Sequence, residues 1–186
     1  QGDQYAALYS EILTVELEND FLPFLYPNQY VNFSPDSEAS KLALSMVSED
    51  TTDVDALKQI YNYVVNNLTY DYDKAETVET GYLPDVDETL STKTGICFDY
   101  AALTTAMLRS CDIPCKLQIG YTGDIKHAWI DVYIRSKGWV TGAVSFNGDS
   151  WSLMDPTFDS SADSDDTEAI QDYIGNADNY TVQFTR

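Results

Sequence analysis

The sequence is poor in the side chains that bind metals and phosphates. Its 186 residues include one histidine, three cysteines and ten basic side chains, against 31 acidic ones. A single histidine and scattered cysteines supply no ligand pairs at the spacing of a zinc site. No glycine-rich phosphate-binding loop is present either. We therefore expect neither a metal nor another cofactor.

Positive charge is also scarce. The net charge of −21 repels polyanions, so we expect no binding to nucleic acid or to an anionic membrane surface. A protein or peptide of neutral or basic character is the better partner, although an acidic surface also serves solubility alone. Residues 159–168 include five acidic side chains among serines, without the glycine and spacing of an EF-hand loop. We interpret them as a solvated acidic loop.

Long apolar runs are absent as well. No stretch approaches the roughly 18 apolar residues that cross a bilayer, and no charged-then-apolar segment resembles a signal peptide. Because the chain opens on Gln1 and not on methionine, we expect a mature chain from which an export signal has been removed. That places the protein outside the cell or at the cell surface, with a cytoplasmic protein as the alternative.

The remaining composition suits one folded domain. The chain is 44% hydrophobic and 13% aromatic, and its length suffices for a substantial core. Apolar residues at helical spacing predict three helices, the second from about Asp36 and the third from Thr52 or Asp53. The first helix carries Tyr5, Leu8, Ile12 and Val15 on one face. Residues 74–88 are polar, contain Gly81 and Pro84, and are interpreted as a loop.

The stretch around Cys97 organises the chain. Gly95 allows a tight turn, and a fourth helix is expected to begin at Cys97 with an apolar face that recurs to residue 111. The unsatisfied N–H groups of a helix N-terminus favour the thiolate, which suits a nucleophile. An inert buried thiol is the alternative, because free cysteine is often buried.

Downstream strands carry the other candidate side chains. Residues 115–121, 126–135, 139–146 and 151–154 are predicted to form an antiparallel run of strands. His127, the only histidine, is the only available imidazole base for Cys97, and Asp155 is a carboxylate that could orient it. Trp129 shares a strand face with His127, either as a wall of the site or as a core residue. Residues 180–185 alternate like a strand that closes the sheet edge.

Three blocks in this order resemble the signature of the transglutaminase-like superfamily. They are GICFDYA at residues 95–101, HAW at 127–129 and DPT at 155–157. The resemblance extends over residues 53–158 and is closest to bacterial transglutaminase-like cysteine proteases. It implies an α+β, papain-like core in which helices pack on an antiparallel sheet. It also implies a Cys–His–Asp triad with Cys97 as nucleophile, His127 as base and Asp155 as its orienter.

The resemblance divides the single domain, residues 1–186, into three parts. Residues 1–52 form an N-terminal helical extension, residues 53–158 the core, and residues 159–186 the acidic loop and last strand. Residues 135–150 are inserted relative to many bacterial members, with a predicted hairpin at Asn147-Gly148. Cys111 and Cys115 stand where small residues are usual, and spacing does not decide whether they form a disulfide.

These patterns predict a thiol-dependent acyl-transfer enzyme. A peptide or carboxamide is attacked by Cys97 to give a thioester, and we expect hydrolysis, as in a peptidase or deamidase, more than cross-linking to an amine. The oxyanion donors are expected to be the N–H of Cys97 and one side chain. The candidates for substrate or oxyanion binding are Tyr70, Tyr72, Tyr82 and Trp129. The alternative is a non-catalytic module that binds a protein or peptide on the same fold.

Overall fold

The computed structural model describes residues 9, 11–14, 16–140, 144–146, 151–153 and 180–186. Within them the fold is α+β, with five α-helices ahead of most of the strands. The helices are α1 (Glu38–Met46), α2 (Asp53–Asn67), α3 (Tyr72–Thr77), α4 (Val86–Thr92) and α5 (Cys97–Ser110). The strands are β1 (Thr69–Tyr70), β2 (Thr94–Gly95), β3 (Cys115–Thr122), β4 (Ile125–Ile134), β5 (Gly138–Val140), β6 (Val144–Phe146), β7 (Trp151–Leu153) and β8 (Tyr180–Thr185).

The second and third predicted helices are confirmed as α1 and α2. Helix α1 begins two residues after Asp36 and buries Ala39 and Ala43. Helix α2 begins at Asp53, where the Thr52 side chain accepts a hydrogen bond from the backbone N–H of Asp55. This N-cap supplies a partner for one of the otherwise unpaired N–H groups of the first turn.

The first predicted helix is wrong where the structure describes it. Residues 9, 11–14 and 16–20 include no helix, and Ile12 is 96% exposed. Tyr5, Leu8 and Val15 lie outside the described residues. A helix of this length is marginal in water unless its apolar face packs against a partner. The spacing of apolar residues is therefore insufficient here.

The predicted loop at residues 74–88 is wrong in part. It contains most of α3 and the start of α4, both of which begin at an aspartate cap. Asp71 accepts from the N–H of Lys74, and Asp85 accepts from the N–H groups of Asp87 and Glu88. These short helices have little apolar periodicity, so the caps and tertiary contacts stabilise them.

The strands form three sheets within the described residues. The main sheet has the order β5-β4-β3-β8, and all its pairs are antiparallel. Strand β8 extends the main sheet beside β3, as predicted for residues 180–185. The expected single run is wrong beyond β5, because β6 pairs with β7 in a separate two-stranded sheet. The short parallel pair of β1 and β2 was not predicted.

Helix α5 lies at the centre of the core. Every residue from Asp99 to Arg109 is buried, so the helix is covered all round and not on one face alone. It packs against α1, α2, α4, β3 and β4. On β4, Ala128, Ile130 and Val132 belong to this hydrophobic core. Because successive side chains of a strand point to opposite faces, His127 and Trp129 lie on the other face of β4.

Candidate active site

Cys97 is the first residue of α5, and Ile96 is the N-cap, so the predicted start of this helix is confirmed. The thiol is partly exposed and free. The N–H groups of the first helical turn have no partner within the helix and present a partial positive charge. Cys97 is thus a half-buried residue with a free thiol at the N-terminus of a helix that is buried from Asp99 to Arg109.

The other two cysteines are chemically different. All three cysteines are free, so Cys111 and Cys115 are not a disulfide in this structure. Burial raises the pKa of the Cys111 thiol to about 11. Burial likewise raises the pKa of Cys115 to about 12, although its contact with Thr105 lowers it. The sulfur of Cys115 lies 3.5 Å from Thr105 Oγ1, between β3 and α5. Both thiols stay protonated near neutral pH.

A buried carboxylate organises the first turn of α5. Asp99 is fully buried, and its Oδ2 accepts from the backbone N–H of Ile96 at 2.8 Å. The same oxygen accepts from Lys74 Nζ at 2.8 Å. Its Oδ1 accepts from the Tyr82 hydroxyl at 2.5 Å. A buried carboxylate is stable only when it is paired and hydrogen-bonded in this way.

Gly95 is required by the same carboxylate. A Cβ atom at Gly95 would lie 2.6 Å from Asp99 Cβ, which is closer than real Cβ contacts. The sequence interpretation assigned this glycine to a tight turn. The structure instead assigns it to the close approach of the backbone and the Asp99 side chain.

Tyrosines surround the loop that precedes the nucleophile. Tyr70 of β1 is paired with Gly95 of β2, two residues before Cys97. Its ring meets that of Tyr72 edge-on, with centroids 4.9 Å apart. Tyr72 is 63% exposed at the start of α3. Tyr70 therefore lies beside the nucleophile loop, and Tyr72 lies at the adjacent surface.

His127 and Trp129 lie together on β4. Their rings are stacked, with centroids 6.3 Å apart and planes 16° apart, and both side chains are buried. The shared face that the sequence predicted is confirmed. Gly120 of β3 is the register partner of His127. A Cβ atom at Gly120 would lie 2.9 Å from Trp129 Cη2 and 1.9 Å from the carbonyl oxygen of Thr181 in β8. The glycine thus lets β8 and the tryptophan pack tightly beside the imidazole.

A polar pair, Gln118 of β3 and Asp131 of β4, lies on the same face of the sheet as His127 and Trp129. Gln118 Nε2 donates to Asp131 Oδ2 at 2.5 Å, and Thr185 Oγ1 donates to Gln118 Oε1 at 2.7 Å. Both Gln118 and Asp131 are buried. These bonds connect β4, β3 and β8 in the layer that holds the imidazole.

The third predicted member of the triad, Asp155, lies outside the described residues, as does the acidic stretch 159–168. Cys97 and His127 are on elements that pack together, α5 and β4, but the β4 residues that share the core with α5, Ala128, Ile130 and Val132, lie on the opposite strand face from His127. The roles of Cys97 and His127, and those of Tyr70, Tyr72, Tyr82 and Trp129, stay predictions.

Sequence reasoning missed Asp99 and Lys74. Asp99 stands at the third position of α5 and contacts the N-cap N–H, which is half of a capping box. That spacing was a usable signal. Lys74 is 25 residues away from Asp99 in sequence, and no local pattern links the two.

Within the described ranges, no three histidine, cysteine or acidic side chains are arranged to hold a metal ion. Of the helices that the structure describes, none is long and apolar enough to span a bilayer.

The family model of the transglutaminase-like superfamily matches residues 40–156, which is more than half of the chain. The chain belongs to the transglutaminase-like superfamily. The matched range contains the first two signature blocks whole, the first two residues of the third, Asp155 and Pro156, and nearly all of the predicted core. The match begins within α1, and the domain boundaries at residues 52 and 158 stay predictions.

Solved structures support the transglutaminase-like fold. A candidate cysteine protease from Cytophaga hutchinsonii superposes with a TM-score of 0.58 at 20% identity, covering 92% of this chain and 48% of that one. The periplasmic domain of TgpA from Pseudomonas aeruginosa superposes with a TM-score of 0.52 at 18% identity, covering 78% and 49%. These similarities show the papain-like, transglutaminase-like fold.

Two relatives in sequence are much longer. YebA of Bacillus subtilis is 26% identical over 154 residues, which cover 70% of this chain and 21% of YebA. The UPF0252 protein MJ1282 of Methanocaldococcus jannaschii is 40% identical over 62 residues, covering 31% and 18%. The chain therefore spans about a fifth of each curated relative and about half of each solved structure.

Proposed function

We propose that this transglutaminase-like domain is a thiol-dependent acyl-transfer enzyme with Cys97 as its nucleophile. The observation that carries the proposal is the position of Cys97, a free and partly exposed thiol on the first residue of α5. A helix N-terminus favours the thiolate and can donate N–H groups to a developing oxyanion. Membership of the superfamily supports the same chemistry.

The proposed reaction has two half-reactions. His127 takes the thiol proton, the sulfur of Cys97 attacks the carbonyl carbon, and the tetrahedral intermediate collapses as the C–N bond breaks. His127 returns the proton to the leaving amine, and a thioester remains. Water then attacks the thioester, which releases the acid and restores the thiol. Asp155 is proposed to orient the imidazole.

The oxyanion is proposed to be held by the N–H of Cys97 and one further donor. Tyr82 is the weaker candidate for that donor, because its hydroxyl hydrogen already bonds to Asp99. Tyr70 and Tyr72 remain candidates beside the loop, and Trp129 is proposed to line the cleft on the β4 side.

The acyl acceptor, the substrate and the cellular location of the protein are proposed only as broad classes. We favour water as the acyl acceptor, because no feature of the sequence marks an amine-binding pocket. We favour a neutral or basic protein or peptide as the substrate.

A location outside the cytoplasm is supported by the similarity to a periplasmic domain. Cell fractionation of the native protein tests that location, and recovery in the cytoplasmic fraction contradicts it.

Alkylation separates a reactive thiol from a structural one. Iodoacetamide at pH 7 should label Cys97 and leave Cys111 and Cys115 unmodified, as read by peptide mass spectrometry. Cys97→Ala should abolish labelling, and the matched control Cys111→Ala should leave it unchanged. Labelling of Cys97 no faster than a small free thiol would contradict the role of nucleophile.

A bifunctional reagent tests the partnership with the imidazole. 1,3-Dibromoacetone joins a sulfur and an imidazole nitrogen only when they are close together. We expect an intramolecular link between Cys97 and His127, and only simple alkylation of Cys97 in His127→Asn. Alkylation without a link in the wild type would favour the non-catalytic binding module, in which the cleft holds a peptide without reaction.

A further inference from the structure

Asp99 introduces a full negative charge next to the nucleophile. It lies two residues after Cys97 in the first turn of α5, and its side chain is completely buried. The helix N-terminus provides only about half a positive charge. An uncompensated carboxylate at this position would therefore cancel the potential that favours a thiolate.

The compensation comes from a different helix. Lys74 of α3 places its ammonium 2.8 Å from Asp99 Oδ2, with 31% of its side chain exposed. The same ammonium donates to the Tyr82 hydroxyl at 2.7 Å and lies 4.4 Å from the centre of the Tyr82 ring. Tyr82 in turn donates to Asp99 Oδ1. Lys74, Tyr82 and Asp99 form a closed triangle of hydrogen bonds beneath the nucleophile loop.

The triangle also sets the backbone geometry of the loop. Asp99 Oδ2 holds the N–H of Ile96, the residue before Cys97, and the Asp99 side chain packs against Gly95. A shift of Asp99 therefore moves the backbone from which the thiol projects. The position and the electrostatic environment of Cys97 depend on the same carboxylate.

We propose that Lys74 and Tyr82 are positioning residues for Cys97, which act by neutralising and holding Asp99 so that the helix N-terminus can stabilise the thiolate. The inference rests on the proposed function of Cys97. Lys74 and Tyr82 both touch the carboxylate, and this contact is separate from the weaker candidacy of Tyr82 as an oxyanion donor. They differ in kind: Lys74 supplies charge, and Tyr82 supplies a neutral hydrogen bond.

Lys74 and Tyr82 both stay protonated at neutral pH. Burial lowers the pKa of Lys74, but its bonds to Asp99 and Tyr82 outweigh burial and raise the pKa overall. Burial and then the Asp99 bond raise the pKa of Tyr82 to about 12. Titratable side chains on the surrounding elements include Asp71, Asp73 and Glu76 at the cap of α3 and within it, Asp85, Asp87 and Glu88 at the cap of α4 and within it, and His127 on β4. Only His127 ordinarily titrates near neutral pH.

The test is the pH dependence of iodoacetamide alkylation at Cys97 in the whole chain. Lys74→Met should raise the pH of half-maximal rate by about one unit, so that alkylation is about tenfold slower below that pH. Lys74→Arg should restore most of the rate, since it restores the charge. Lys58→Met removes the same charge from an exposed site on α2 and should leave the profile unchanged.

Tyr82→Phe is the milder variant in case Lys74→Met fails to fold, which circular dichroism and urea titration would show. It keeps the ring and removes one bond to Asp99, and we expect an upward shift smaller than that of Lys74→Met. Folded Lys74→Met and Tyr82→Phe proteins with the profile of Lys58→Met would overturn the proposal. A slow, unreactive Cys97 in the wild type would instead overturn the proposed function, so the two failures are distinguishable.

Discussion

The two sides of the candidate site, the first turn of α5 and the histidine end of β4, are built by interactions of different kinds. Around Cys97, polar groups meet in a charged triangle that reaches from α3 to α5. Around His127, packing dominates, because the imidazole stacks on Trp129 and Gly120 admits the backbone of β8. The nucleophile side should therefore respond to changes of charge, and the imidazole side to changes of volume.

Removal of Asp99 is the strongest way to test the charged side. Asp99→Ala leaves a partly buried ammonium, the Tyr82 hydroxyl and the Ile96 N–H without their acceptor. Because Lys74 keeps some solvent contact, we expect a loss of about 3 kcal/mol of unfolding free energy, at the low end for a broken buried ion pair. Urea titration measures it.

The matched control for that prediction is Asp50→Ala, which removes a carboxylate from an exposed position. It should change the free energy of unfolding by less than about 0.5 kcal/mol. Equal effects of the two substitutions would mean that the triangle contributes nothing to stability, and the contrast between the two sides of the site would then fail.

A single added methyl group tests the packed side. Gly120→Ala would place its Cβ 1.9 Å from the Thr181 carbonyl oxygen, so β8 must move away from β3. We expect a loss of about 1–3 kcal/mol, which is typical of overpacking. The near-ultraviolet circular dichroism should also change, because Trp129 contacts the same position. An unchanged spectrum and an unchanged free energy of unfolding would show that β8 can move away from β3 at no cost, which would contradict the prediction.

The smallest expected effect concerns Cys115, at the junction of β3 and α5. Its pKa in the folded protein, about 12, lies above the ordinary value of 9.0. The folded state therefore holds this proton more tightly than the unfolded state. The stability it contributes is complete below pH 9 and is lost as the pH rises from 9 towards 12.

Urea titrations between pH 8 and pH 10.5 measure that loss. Each such thiol contributes a slope of at most about 1.4 kcal/mol per pH unit. Cys111, with a pKa of about 11, should contribute in the same direction. Cys115→Ala should flatten the decline above pH 9, whereas Cys97→Ala, at a partly exposed thiol, serves as the comparison. Identical slopes in the two variants would contradict the burial effect at Cys115.

The helices that the sequence predicted correctly depend on residues that lie close together in the chain. Helices α2 and α5 were predictable, because apolar periodicity and caps such as Thr52 lie within one turn of each other. The caps of α3 and α4 were present in the sequence too, at Asp71 and Asp85, but the polar composition around them favoured a loop. The predicted N-terminal helix had periodicity without a partner, and Ile12 remains exposed.

The amino-acid sequence by itself determined the start of α5 at Cys97, the strand that carries His127, and the order of the three signature blocks. The helix start and the strand depend on residues within about one helical turn or on strand alternation, and the order of the blocks is read directly from the sequence. Only the tertiary structure decided that Asp99 is buried and that Lys74 and Tyr82, at separations of 25 and 17 residues, are its partners. A buried carboxylate is stable only when donors from elsewhere in the fold reach it, and no local pattern specifies which donors do.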